Sequence, residues 1–156
     1  MSLKAKMQQR EAEGLPTDTH PLRFHNDKPA RAELAAAVQS GDEARITAAK
    51  AALEACYVEV TIQALEPDAL EKLIGKHPPT EAQEKRGGVY NPDTFPAALL
   101  AACLLDSDIT EEDWLEYLNK GPLSAGEGTA LFNKAWAVNY RAPDPWIPKE
   151  WTETRS

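Results

Sequence analysis

The sequence predicts a mainly α domain with one short β element, an α+β chain, and three observations predict it. Residues 95–105, FPAALLAACLL, carry no charged or strongly hydrogen-bonding side chain. At about 1.5 Å per residue this is roughly three helical turns, and a helix apolar on every side must be buried. Two capping boxes, Thr110 to Asp113 and Ser124 to Glu127, open further helical patterns. Only residues 57–65, YVEVTIQAL, change from a helical period to alternation.

Residues 1–28 are polar and charged, with Pro16 and Pro21 inside and few large apolar groups. They are read as a flexible or partner-ordered arm, with a short extended piece around Leu22 and Phe24. Residues 29–140 form a single helical domain. Its first part, 29–56, is alanine-rich, with Leu34 and Val38 on one face and Ile46, Ala49, Leu53 and Cys56 on another. A box from Ser40 to Glu43 and the weak point at Gly41 divide it into two short helices or one interrupted helix. This stripe of small residues suits a helical hairpin or an oligomer seam; a solvated helix is the alternative.

In the strand, Val58, Val60, Ile62 and Ala64 point one way and Tyr57, Glu59, Thr61 and Gln63 the other. A lone strand needs a partner at its edge, from the arm or from another subunit. A short helix over 66–74 follows, with Pro67 in its first turn and Gly75 at its end. His77-Pro78-Pro79 disfavours helix, and residues 80–91 read as a polar loop. Asp93 or Thr94 caps the apolar helix, and Asp106-Ser107-Asp108 ends it. The helix from Thr110 presents Trp114, Leu115 and Leu118 and stops at Gly121-Pro122. The last, from Ser124 to about Asn139, presents Leu131, Phe132, Ala135, Trp136 and Val138. The core is placed between Tyr90 and Trp136. Residues 141–156 carry Pro143, Pro145 and Pro148 with Trp146 and Trp151. They read as an extended tail that docks on its own domain or is presented to a partner.

Net charge is −8, unevenly spread: residues 1–31 hold six Lys/Arg against four acids, +2, which leaves −10 on the rest. So acidic a body repels nucleic acid. Cys56 and Cys103 lie in helical contexts without metal-ligand spacing and are expected as buried thiols more than as a disulfide. The first residues lack a signal-peptide core and no run spans a membrane, so a soluble intracellular protein is expected. The acids Asp106, Asp108, Glu111, Glu112, Asp113 and Glu116 fail as a calcium loop, because Glu111 stands where Gly is needed and Tyr117 where Glu is needed. His20, His25 and His77 have no metal-ligand spacing, and Lys85-Arg86-Gly87-Gly88 lacks the strand–loop–helix context of a phosphate loop. No nucleophile motif occurs. No catalytic, cofactor or metal site is assigned.

The order of features is familiar. The strand VEVTIQAL, the turn KHPPTEAQ, the stretch NPDTFPAALLAACLLD, the helix ITEEDWLEYL and the closing LSAGEGTALFNKAWAVN follow one another over about residues 30–139. The chain resembles the tail assembly chaperones of long-tailed bacteriophages, in particular those of phages infecting actinobacteria. The resemblance implies a non-catalytic protein that acts in the host cytoplasm. It implies partners too: the tape-measure protein, which it coats, and the tail-tube protein, whose polymerisation it promotes. It also implies absence from the finished virion and, in many members, a frameshift-extended form.

A chaperone for a long helical client needs exchangeable apolar surface on an acidic exterior. The candidate partner contacts are Phe95, Leu99, Trp114, Phe132 and Trp136, with core packing as the alternative for each, and Trp146 and Trp151 on the tail. Self-association is expected. A structural virion or neck component is the second reading, and a small enzyme with a site assembled only by the fold the third.

Overall fold

The computed structural model describes residues 1–142 and 149–150. Its elements are α1 (Leu3–Glu13), β1 (Thr17–Arg23), α2 (Lys28–Ser40), α3 (Glu43–Glu54), β2 (Tyr57–Gln63), α4 (Pro67–Gly75), α5 (Glu81–Lys85), α6 (Phe95–Cys103), α7 (Glu111–Lys120) and α8 (Ala125–Tyr140). The chain is mainly α with a two-stranded antiparallel sheet.

The segment read as a flexible arm is structured over α1 and β1. Its strand supplies the missing partner for β2: Thr17 stands opposite Gln63 and Arg23 opposite Tyr57. The physical reason is the edge of β2, whose amides and carbonyls need partners, and β1 carries Leu22 into the core as it provides them. The short extended piece expected around Leu22 is the end of this strand; polarity concealed the rest of it, because Leu22 is its only buried residue. The other edge of β2 meets the chain leaving α6, where Ile62 bridges Leu104 and the Leu105 N–H donates to the Thr61 carbonyl at 3.0 Å.

α2 and α3 are inserted between the strands as a hairpin. Gly41 turns it in the left-handed region (φ 71°), and Ala37 and Ala49 are its buried residues. Small side chains let the two axes approach closely. The cap of α3 is Asp42 and not Ser40: its carboxylate accepts from Ala44 N–H at 3.1 Å and Arg45 N–H at 3.3 Å. The Ser40 hydroxyl instead donates to Ala37 O at 2.7 Å. Arg45 clasps Glu33 of α2 through two nitrogens, at 2.7 and 3.2 Å.

The base of the hairpin is tied to the sheet. Phe24 N–H and His25 N–H both donate to Cys56 O. At the start of α2 the Asp27 carboxylate accepts from the Tyr57 hydroxyl and from Arg31 Nε, the latter at 2.6 Å, while Arg31 also donates to the Tyr57 oxygen at 3.0 Å.

The body packs around α6. Phe95, Ala97, Ala98, Leu99, Leu100 and Cys103 are all buried, and α6 packs against α4, α7 and α8. Ile62 and Leu22 close it from the sheet, Leu70 from α4, Trp114 from α7 and Leu131 from α8. The helix ends at Cys103, earlier than the apolar run, because Leu104 turns extended to bridge the strand. Thr110 and Ser124 form both predicted capping boxes, with Asp113 and Glu127. A third box, Thr80 with Gln83, starts α5 inside the stretch read as loop.

At the end of α8, Asn139 joins three elements. Its Oδ1 accepts from Leu65 N–H at 2.9 Å, and its Nδ2 donates to Ala135 O at 2.8 Å and to Cys103 Sγ at 3.5 Å. Both cysteines are free and buried, and burial pushes the Cys103 thiol up, with Asn139 partly opposing it.

The Tyr57 hydroxyl first, and Arg31 second, hold the Asp27 carboxyl at about 2, below its ordinary 3.8. A depressed folded-state value contributes stability that is fully present above the unfolded value and lost as pH falls through the folded one. Asp27→Asn should therefore be less stable than the parent at pH 5. The gap should close between about pH 4 and pH 2, read from urea midpoints as a function of pH. A gap that stays constant down to pH 2 would count against the network.

Candidate partner-binding face

α8 determines which apolar side chains stay open to solvent. Residues four apart on a helix drift by about 40° per step. The row Gly128, Phe132, Trp136, Tyr140 therefore starts buried at Gly128, passes through half-buried Phe132 and Trp136, and ends at Tyr140, 51% exposed. Trp136 lies 6.1 Å from Phe132 and 4.3 Å from Tyr140, centroid to centroid.

Tyr90 joins the row from the loop before α6. Its ring is 4.5 Å from Phe95, 5.3 Å from Trp136 and 6.1 Å from Phe132. Offset and edge contacts at these spacings each add about 0.5–1.5 kcal/mol beyond area. Burial, and then the neighbouring Tyr140, raises the Tyr90 phenol; burial, and then Glu71, raises that of Tyr140. Both rings therefore stay neutral near pH 7.

The loop is held by backbone and amide contacts. Gly88 N–H donates to Gln83 O at 2.9 Å, and Asn91 N–H to His77 O at 2.8 Å. Gln83 Nε2 reaches Asp93 at 3.2 Å. Between this loop and α7–α8 runs a groove of about 320 Å³, lined by Tyr90, Pro92, Pro96, Leu118, Gly128 and Phe132 among others. Aromatic and proline walls with a few polar rims, Asp93 and Asn119 here, are the usual make-up of a surface that takes an apolar segment.

His77 underlies the same loop. Its Nδ1 is 2.9 Å from the Thr94 hydroxyl, its Nε2 is 3.4 Å from Glu111 Oε1, and its ring meets Phe95 edge-on at 6.2 Å. The row hydroxyl–imidazole–carboxylate joins the end of α4 to the starts of α6 and α7. Both ring nitrogens are engaged, so His77 acts as a tie between three elements. Thr94, freed from capping α6 by its own side chain, serves this tie.

The sequence candidates separate in the structure. Phe95, Leu99 and Trp114 are between 0 and 2% exposed, so in this conformation they are core and offer no surface. The large side chains of α6 are enclosed, and only the small Ala102 of that helix is exposed. Phe132 and Trp136 sit together on the aromatic row. Trp146 and Trp151 lie outside the described residues, as does most of the tail. Tyr90 and Tyr140 are additions; the aromatic residues four apart at 132, 136 and 140 are the sequence signal that marks Tyr140. Among the described residues no group of three or more His, Cys, Asp or Glu is arranged to hold a metal, and no helix is long and apolar enough to cross a membrane. Gly87, at φ 84°, ends α5 and follows no strand.

Comparison with protein-family models, with curated proteins and with solved structures finds no match.

A Cβ on Gly88 would lie 2.8 Å from the Gln83 carbonyl oxygen, whereas one on Gly75 would meet nothing within 4 Å. Gly88→Ala should therefore force the loop off Gln83 and cost about 1–3 kcal/mol, while Gly75→Ala should be neutral or stabilise by up to about 1 kcal/mol. Urea denaturation of the two variants checks this pair.

Proposed function

We propose that this chain is a non-catalytic tail assembly chaperone of a long-tailed bacteriophage, binding the tape-measure protein and promoting tail-tube polymerisation. Action in the host cytoplasm, self-association and absence from the mature particle belong to the same reading. The observation that carries it is the open aromatic row of α8, Phe132, Trp136 and Tyr140, with Tyr90 and the proline-lined groove beside it. All of it but Tyr140 lies within the stretch whose motifs resemble that family, and the closing LFNKAW-x-VN supplies two of its rings.

The chemistry suits the task. A tape-measure protein is a long helix that must be kept from aggregating until the tube encloses it. An aromatic face grips an apolar helix stripe without demanding one sequence, because rings bury large area at low entropy cost. The excess of acids elsewhere, net −8 over the chain, keeps a complex with many such copies dispersed. The alternative of a permanent virion part would use the same face on a fixed neighbour.

Co-expression with the neighbouring tape-measure protein, purification by the client and light scattering should find several copies per client, with the client soluble. Tyr140→Ala, which removes an exposed ring and little core, should weaken retention by about 1–2 kcal/mol, roughly 5- to 30-fold. A chain that leaves the client insoluble, or is found in stoichiometric amount in purified particles, would count against the chaperone reading.

A further inference from the structure

α1 is closed at both ends by its own residues. The Ser2 hydroxyl accepts from Ala5 N–H at 3.2 Å, and Gly14 N–H returns to Glu11 O at 3.2 Å before the chain turns at φ 92°. Yet none of its residues is buried, and Leu3 and Met7 are 75% and 54% exposed. A helix of this length without packing is marginal in water. Most of its stability has to come from something laid against one face.

The face is legible. Positions 3, 6, 7 and 10 align at i, i+3, i+4 and i+7, which places Leu3, Lys6, Met7 and Arg10 together. Two apolar side chains are thus set beside two cations. Among the described residues neither Lys6 nor Arg10 forms an ion pair.

A surface of opposite character lies on α7. Leu115 is 38% exposed and lines an open depression of about 590 Å³ with Ala97, Thr110, Glu111 and Glu112. Glu112 and Glu116, four apart, flank Leu115 on the exposed side and carry no ion pair among the described residues. The depression offers one apolar contact bordered by anions, the complement of α1.

We propose that α1 of one copy docks across the α7 depression of a second copy, with Leu3 and Met7 over Leu115 and with Lys6 and Arg10 facing Glu112 and Glu116. This rests on the self-association in the reading above and names its surfaces. A second copy is the occupant because the chain carries both halves: residues 1–31 are net +2 and the remainder net −10. Donor and acceptor lie on different elements, so the contact closes as a two-fold pair in which each arm engages the other body, or runs head-to-tail into a ring or an open filament.

The test is sedimentation velocity of the full chain over a range of concentration at low and high salt, with two charge-reversed variants. One is Lys6→Glu with Arg10→Glu; the other is Glu112→Lys with Glu116→Lys. All four side chains are exposed, and circular dichroism verifies the fold of each. The parent should associate, more weakly in salt, and each variant alone should associate roughly tenfold more weakly or worse. An equimolar mixture of the two variants should recover association, because each arm then meets a body of opposite charge. Association indifferent to both reversals, or a mixture that stays monomeric, overturns the proposal. A parent that is monomeric throughout yet still co-purifies with the client overturns this docking and leaves the chaperone reading standing. Association through these charges with no client bound does the reverse.

Discussion

α6 shows almost nothing to water: six of its nine residues are buried, on most sides of the axis, and only Ala102 near its end is exposed. Everything else in the body is arranged to enclose it. α7 and α8 take two sides, α4 a third, and the strand β2 the fourth through Ile62. A helix of this kind gains little from intrinsic propensity; its stability is the burial of side chains worth about 1.5–3 kcal/mol each when large. The same demand explains the exits. Leu104 goes straight onto β2, and Thr94 leaves its capping role to bond His77.

Enclosing α6 leaves α8 overdrawn in aromatic surface. Its inner face is satisfied by Leu131 and Ala135, both fully buried, and the remaining rings spill outward along a row that turns away from the core. Tyr90 covers part of that row from the loop, and the loop is held by Gln83, Asn91 and His77. The open face is therefore positioned by the packing of the helix beneath it.

Much of this could be read from residue order. The capping boxes at Thr110 and Ser124, the strand over 57–63 and the break at Gly41 rest on local chemistry, and local chemistry is what a sequence displays; the core placed between Tyr90 and Trp136 also takes in Leu22, Ile62 and Leu70, which the fold brings from outside that stretch. The losses have two causes, tertiary contact and shortness. β1 is a strand because of what lies opposite it, and only Leu22 in it is buried. α5 is a single turn closed by Thr80 and Gln83, too short for any period to mark. Within the candidate face, Phe132 and Trp136 were legible as helix aromatics, but the division between enclosed Phe95, Leu99 and Trp114 and half-open Phe132 and Trp136 was not. That division depends on which neighbours arrive from α4, α7 and the sheet.

The insertion of α2 and α3 between the paired strands bears on the order of folding. Long-range pairing is slow because the intervening chain must give up its freedom before the ladder forms. Here the intervening chain is itself a helical hairpin whose contacts are local, closed by Gly41 and the Glu33–Arg45 clasp. Once formed, it brings Asp27 and Cys56 to the same end, where the Tyr57 network and the paired donors to Cys56 O wait. The two strands then meet as though joined by a short turn. The folded hairpin thus holds the two strands at short range from each other, where β1 and β2 pair.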